Sequence, residues 1–314
     1  MRREITFVLI LMLVVTSLAV TSKNVSAQIK KEDMTWSIGD KWEFRYTTIS
    51  KGMTMIFRID IEIKNETTID IDGVNYEVFV ADLDGEVETI DNIESGSENL
   101  SFVFVKDSGR VTGKLYMAKD SDTTKTIQNI EYQLKEETTD TVINQTINLI
   151  TISRVISGEK PDIIDVGTNW VYTTKTETTT TTTVSGSFYD EYIEPGYTNT
   201  TTTTSNSTET TNYECLGKKT ITTAAGTFET YEIKINQVGQ QGHTLQYKSS
   251  KVKEDVKQII YDNDGSMISL KELISYDVAS STTSGTSEKT PGFELVIILF
   301  SIAFILLWKR KTKY

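Results

Sequence analysis

One histidine, one cysteine and three acidic Asp-Gly turns are the residues of this 314-residue chain whose types and spacing could do chemistry. His243 ends Gly239-Gln240-Gln241-Gly242-His243, a glycine-bounded turn between strands. Metal or acid–base work there would need partners, and no second histidine exists, so an exposed loop histidine is expected. Cys215 in Tyr213-Glu214-Cys215-Leu216 excludes an internal disulfide. It reads as a small buried hydrophobe, with pairing between molecules as the alternative, and it is not placed as a lipobox cysteine.

The acidic turns are Asp70-Ile71-Asp72-Gly73, Asp82-Leu83-Asp84-Gly85-Glu86 and Asp262-Asn263-Asp264-Gly265. Setting each glycine at the sixth position of an EF-hand loop puts Thr68, Val80 or Ile260 first and Phe79, Asp91 or Lys271 last, and none of these sets binds calcium. Hairpin turns are expected, with weak extracellular Ca²⁺ binding left open. The chain has no phosphate-binding Gly-Lys-Ser/Thr loop, no Gly-x-Ser-x-Gly elbow and no dinucleotide fingerprint. Its carboxylates are spread through alternating polar faces, so nothing selects a catalytic pair. The expectation is no enzyme, no cofactor, no metal and no catalytic residue.

The ends carry addresses. Met1-Arg2-Arg3-Glu4 is a short basic start, Ile5–Val20 a largely apolar run, and Val25-Ser26-Ala27 a small-residue site that places signal-peptidase cleavage after Ala27. An uncleaved anchor is the alternative, and export follows either way. At the other end, the polar linker 279–290 leads into Pro291-Gly292-Phe293-Glu294, the apolar run Leu295–Trp308, and Lys309-Arg310-Lys311-Thr312-Lys313-Tyr314. That run has 14 residues, about 21 Å of helix, short of the roughly 30 Å hydrocarbon core. The basic end should stay cytoplasmic and leave the body outside. The 263 residues 28–290 carry 25 basic and 42 acidic side chains, a charge of −17 that would repel nucleic acid.

The Ser/Thr-rich linker, Pro-Gly-Phe, short apolar helix and terminal basic cluster together resemble the PGF-CTERM sorting signal of archaeal surface proteins. The resemblance covers about 24 residues and implies recognition by an archaeosortase, removal of the tail near Pro291, Gly292 and Phe293, and attachment of a prenyl-type lipid. A plain single-pass anchor is the alternative. Both put the protein on the outer face of the cytoplasmic membrane, with the membrane and the two processing enzymes as partners.

Between these ends the chain must be mainly β. In Met55–Lys64 the positions Phe57, Ile59, Ile61 and Ile63 alternate with Arg58, Asp60, Glu62 and Lys64. The groups Trp42/Phe44/Tyr46, Val74/Tyr76/Val78/Val80, Leu100/Phe102/Phe104, Tyr231/Ile233/Ile235 and Ile268/Leu270/Ile274/Tyr276/Val278 repeat the period. Only Thr141–Ile156 is ambiguous between a short helix and a strand. Ile38-Gly39-Asp40-Lys41-Trp42-Glu43-Phe44 matches Val166-Gly167-Thr168-Asn169-Trp170-Val171-Tyr172, and Tyr76-Glu77-Val78 matches Tyr231-Glu232-Ile233. These matches predict two related antiparallel repeats, 28–160 and 161–278, each a meander or open half-barrel. The Gly-x-x-Trp-x-aromatic pattern, followed by Gly226-Thr227-Phe228 and a Tyr-x-Ile strand, is faintly similar to bacterial half-barrel envelope proteins, which implies a fold and nothing more.

Residues 173–212 contain 18 threonines in 40 positions. They could form a two-stranded arm turning between Gly186 and Gly196, or an O-glycosylated stalk. Sequons mark Asn65, Asn99, Asn144, Asn199 and Asn206 as N-glycosylation candidates. The expected function is structural or binding, at a glycosylated cell surface, with surface glycans or envelope proteins as partners. A half-barrel carrier or receptor for an apolar ligand or lipid is the alternative.

Overall fold

The computed structural model describes residues 29–30, 34, 36–50, 53–91, 102–119, 123–136, 141–158, 161, 163–186 and 197–278. Ala27, Asn99, Pro291, Gly292 and Phe293 lie outside them. All the regular elements are strands: β1 (Ile29–Lys30), β2 (Lys41–Ser50), β3 (Met53–Ile71), β4 (Val74–Asp91), β5 (Phe102–Phe104), β6 (Gly109–Ala118), β7 (Thr124–Glu136), β8 (Val142–Ser157), β9 (Ile163–Ile164), β10 (Asn169–Gly186), β11 (Tyr197–Thr223), β12 (Gly226–Gln237), β13 (His243–Ser249), β14 (Glu254–Tyr261) and β15 (Met267–Asp277). The segment that was ambiguous, Thr141–Ile156, falls in β8.

The strands pair antiparallel in the order β5-β7-β6-β4-β3-β2-β15-β14-β13-β12-β11-β10-β8, and β8 pairs in turn with β7. That last pairing closes twelve of the thirteen strands into an up-and-down barrel, with short β5 lying beyond β6 on the same edge of β7. The expected half-barrels are therefore corrected. Six strands from each half of the chain join edge to edge, at β8–β10 and β15–β2, into one closed barrel. Closure leaves no open edge around the ring, whereas two separate half-barrels would each expose two.

The lumen is apolar over β2, β3, β4 and β6. Trp42, Phe44, Phe57, Ile59, Ile61, Ile63, Leu83, Val111 and Leu115 are all buried there, in one cluster that also takes in Leu273 and Val256. The outer face carries the charges: Arg58 bridges Glu43 and Glu88, Arg45 reaches Glu88, Lys41 reaches Glu62, and Lys114 reaches Asp82. An apolar lumen inside a charged wall is the inverse of a membrane-spanning barrel, so this wall faces water.

The two halves start with the same turn. Gly39 (φ 96°) donates to Ile63 O at 2.8 Å, and Ile63 N donates back to Asp40 O at 2.9 Å. Gly167 (φ 85°) donates to Cys215 O at 2.8 Å, and Cys215 N donates to Thr168 O at 2.9 Å. Each turn is braced alike, by Ser37 N to Asp40 Oδ2 (2.8 Å) and by Asp165 N to Thr168 Oγ1 (2.9 Å). Both glycines need a backbone conformation that a Cβ disfavours, which is why glycine stands at that place in both motifs. Beside each turn the neighbouring strand bulges, at Ile63/Asn65 and at Cys215/Gly217. Those bulges set Ala81 against Ile63 and Ile233 against Cys215, so Phe79, and not Tyr76, is the structural counterpart of Tyr231.

Two faces depart from the sequence expectation. Val78 and Val80 pack outside the lumen with Ala118, Ile69 and Tyr116, while Phe79, Ala81 and Leu83 point in. Val-Phe-Val-Ala is apolar on both parities, so period alone cannot choose a face. On β15 the buried residues are Ser269, Lys271 and Leu273, and Leu270 is only half-buried, whereas Ile268, Tyr276 and Val278 pack against the core as the period expects. Asp82–Gly85 is no turn either. It runs through β4, where a Cβ on Gly85 would stand 2.2 Å from Arg58 O, so glycine serves close strand approach there.

Candidate functional site

Three places in the barrel collect functional groups. The first is a charged cluster sealed inside the second half. Along β13 the inward residues are Thr244, Gln246 and Lys248, and along β14 they are Glu254, Val256, Gln258 and Ile260. Lys271 Nζ lies 2.9 Å from Glu254 Oε1 and 3.9 Å from Asp255 Oδ2, and 4.1 Å from the centroid of the Phe44 ring. Lys248 Nζ lies 3.1 Å from Asp255 Oδ1, and Gln246 Nε2 donates to Asp255 Oδ2 at 2.8 Å. Two ammonium groups thus balance two carboxylates in a site closed to water. Burial disfavours the Lys271 charge, but attraction to Glu254 and its neighbours outweighs it and raises its pKa. The Tyr46 hydroxyl beside it is also held well above the ordinary phenol range, chiefly by burial.

A further ion pair plugs the same end of the barrel. Lys253 (φ 56°), in the turn between β13 and β14, reaches Asp40 Oδ2 at 2.9 Å. The indoles of Trp36 and Trp42 donate to the carbonyls of Lys253 (3.2 Å) and Val252 (2.7 Å). The turn is thereby pinned under the first motif's tryptophan. Asp40 serves both the turn and the plug.

At the other end of β13 and β14 a cavity of about 160 Å³ opens. Ile235, Ile260 and Ile268 line it together with His243 and Tyr261, whose rings stack at 4.9 Å with 19° between their planes. Gln237, Gln240, Asn263, Thr211, Thr244, Asp262 and Asp264 complete the lining. Asp262 Oδ1 is occupied by the backbone amides of Asp264 (2.9 Å) and Ser266 (2.8 Å). His243 is not the exposed loop residue expected from its glycines. It begins β13, partly buried, and burial followed by the Lys234 charge lowers its pKa, so it is neutral at pH 7.

The third place is the threonine ribbon. β10 and β11 pair antiparallel from Asn169↔Glu214 to Gly186↔Tyr197, so the Thr-rich segment is two-stranded. The ribbon is no isolated arm, because β10 pairs with β8 along its other edge. One face is exposed, with Thr179, Thr181 and Thr183 sharing hydroxyl hydrogen bonds of 3.2, 3.0 and 3.0 Å with Thr204, Thr202 and Thr200. On the other face Thr174, Thr176, Thr178, Thr180 and Thr182 are buried, as a polar lining of the lumen.

Cys215 is buried, as expected, and burial pushes its thiol up to about 11. Asn65, Asn144 and Asn206 are exposed on strands; Asn199 is half-buried opposite Val184. Asp72-Gly73 and Asp264-Gly265 form the expected hairpin turns. Among the described residues no cluster of three metal-ligating side chains occurs. Sequence reasoning missed the charged cluster because it sits where alternation places an apolar face; the single signal was the polar parity of Thr244, Gln246 and Lys248.

No family model matches the chain, and no curated protein matches it. Two solved structures are similar to it. One is a protein assigned as exported, with a YmcC-like fold, from Bacteroides fragilis (10% identity, 77% of this chain and 97% of that one, TM-score 0.31). The other is a protein assigned as a lipoprotein from Parabacteroides distasonis (12% identity, 82% and 100%, TM-score 0.31). At that score neither likeness carries an argument about function.

Proposed function

We propose that this chain is an exported cell-surface protein whose barrel serves a structural or binding role in the envelope. The observation that carries the reading is the filled lumen: Phe57, Ile59, Ile63, Val111, Leu115 and Ile147 have essentially no exposed surface. A barrel packed by its own side chains offers its ends and outer face to partners, not its interior. The exposed threonine ladder and the sequon residues Asn65, Asn144 and Asn206 then present hydroxyls and attachment points to glycans or neighbouring envelope proteins. The address at the outer face of the cytoplasmic membrane rests on the cleavage site after Ala27 and the Pro291-Gly292-Phe293 tail, and lipid anchoring by an archaeosortase rests on that tail alone.

The carrier alternative needs an apolar chamber, and the cavity of about 160 Å³ falls below the roughly 300–1,000 Å³ of sites that enclose whole ligands. Protein purified from its native membrane, deglycosylated and weighed intact tests both readings. A mass ending near Thr290 or Phe293 with a lipid increment is expected. A mass retaining Tyr314 would replace lipid anchoring by a helical anchor. One apolar molecule extracted per folded chain, beyond the covalent lipid, would overturn the surface reading in favour of the carrier.

A further inference from the structure

The ring closes where β11 meets β12, and that pairing begins only at Thr211↔Gln237. Before it β11 outruns its neighbour: Tyr197–Thr210 pairs with β10 along one edge, and no described strand meets the other. This overhang is about 45 Å long. Val238 N donates to Thr210 O on the open side, and the β10–β11 register runs from Asn169↔Glu214 to Gly186↔Tyr197 without a shift. Alternation therefore aims the backbone N–H and C=O of Thr198, Thr200, Thr202, Thr204, Asn206 and Thr208 outward. From Thr200 to Thr204 both faces of the strand are exposed as well.

Other overhanging edges of this barrel are protected. Lys64–Ile71 of β3, beyond its pairing with β2, begins at a bulge and carries Lys64, Glu66 and Asp70. Gly217–Thr223 of β11, beyond its pairing with β10, begins at a bulge and carries Lys218 and Lys219. Charges and bulges keep the edges of natural sheets from pairing with another chain. From Thr198 to Thr208 there is no charge, no proline and no bulge. Residues 28–290, with 25 basic and 42 acidic side chains, repel their own copies, but on this strip two copies meet with no like charges opposed. Threonine also pairs with threonine across strands, as Thr200, Thr202 and Thr204 already do with β10. A second copy of the strip supplies both backbone partners and matching hydroxyls.

We infer that two copies of this chain pair antiparallel along Thr198–Thr208 of β11, about a two-fold axis, so that the sheet of one barrel runs on into the other. A two-fold contact of this kind closes at the dimer. It rests on backbone geometry and goes beyond the surface reading, so either can fail without the other.

Sedimentation velocity of the full chain in detergent micelles should show a reversible dimer with a Kd on the order of 10 µM, as small transient interfaces give. On dimerisation the outward amides of Thr200, Thr202 and Thr204 should slow in hydrogen exchange, while those of Thr201 and Thr203, which face β10, should not change. Thr202→Pro removes one outward N–H from each copy and leaves the β10 ladder intact, so it should weaken the dimer at least about tenfold with unchanged circular dichroism. Thr202→Lys with Thr204→Lys should abolish self-association, as should Thr202→Glu with Thr204→Glu. Mixing these two doubly substituted chains should restore a dimer.

Self-pairing is overturned if the chain stays monomeric at about 200 µM, well above the expected Kd. It is overturned equally if the dimer survives Thr202→Pro and the paired lysines unchanged, which would put the contact elsewhere, or if exchange at Thr200, Thr202 and Thr204 is the same in monomer and dimer. None of these outcomes moves the intact mass or the extraction result, so failure of the dimer is distinguishable from failure of the surface reading.

Discussion

The two halves of this barrel enter through the same turn, but one stretch of the first and one stretch of the second fill the lumen by opposite means. β2, β3, β4 and β6 place aromatic and branched aliphatic side chains inside, while β13, β14 and β15 place Gln246, Lys248, Glu254, Gln258 and Lys271 there. An apolar lumen is held by area removed from water, which tolerates small changes of shape. A charged lumen is held by pairing, so its stability hangs on each partner being present.

The largest expected effect exploits that dependence. Lys271→Met should destabilise the protein by about 3–5 kcal/mol, because Glu254 is left sealed in without its ammonium. Phe57→Ala in the first half should cost a similar amount, about 3–5 kcal/mol, but through a cavity. The difference emerges on compensation: Lys271→Met with Glu254→Leu should recover much of the loss in denaturant unfolding, whereas no second truncation rescues Phe57→Ala. If Lys271→Met alone proved harmless, the contrast between the halves would collapse.

Alkaline pH should separate them next. Lys271 has a folded pKa raised above its ordinary 10.5, so its contribution is fully present below that value and is lost as pH rises through the folded value. The buried Tyr46 has a raised pKa as well, so the unfolded state releases its proton first and stability falls as pH climbs past 10. Circular dichroism and tyrosinate absorbance followed together should show a shared transition above pH 10. In Lys271→Met a smaller share of the stability should vary with pH. Tyr46→Phe should lower the tyrosinate released together with the loss of structure; an unchanged amplitude there would show that Tyr46 is not sealed.

A smaller effect tests what the halves share. Gly39→Ala and Gly167→Ala should each cost about 1–2 kcal/mol, because both force a Cβ into the same left-handed turn with open space around it. Markedly unequal losses in thermal unfolding would mean that the two turns are not equivalent. The least effect belongs to the ladder. Thr181→Val, which removes one exposed cross-strand hydroxyl pair with Thr202, should change stability by about 0.2–1 kcal/mol or less.

Much of the fold was legible in the residues. Alternation located most strands, two of the three Asp-Gly pairs marked hairpin turns, and the repeated Gly-x-x-Trp named the turn that opens each half. Asp84-Gly85 misled because glycine serves close strand approach as readily as a turn. Tyr76 was matched to Tyr231 because the bulges that shift the register leave no mark in composition. The candidate sites were scarcely legible: His243 was visible, but its partner Tyr261 is 18 residues away and meets it only because β13 and β14 pair.

The sequence by itself determined that the chain is β, acidic and threonine-rich. Those properties are local, being fixed by side-chain period, composition and the order of short motifs. Closure was decided by the tertiary structure, because β8–β10 and β15–β2 join edges far apart in the chain. The inward face of β15 was decided there too. A buried lysine is tolerable only where a carboxylate meets it, and that meeting depends on the register between strands, which no single strand encodes.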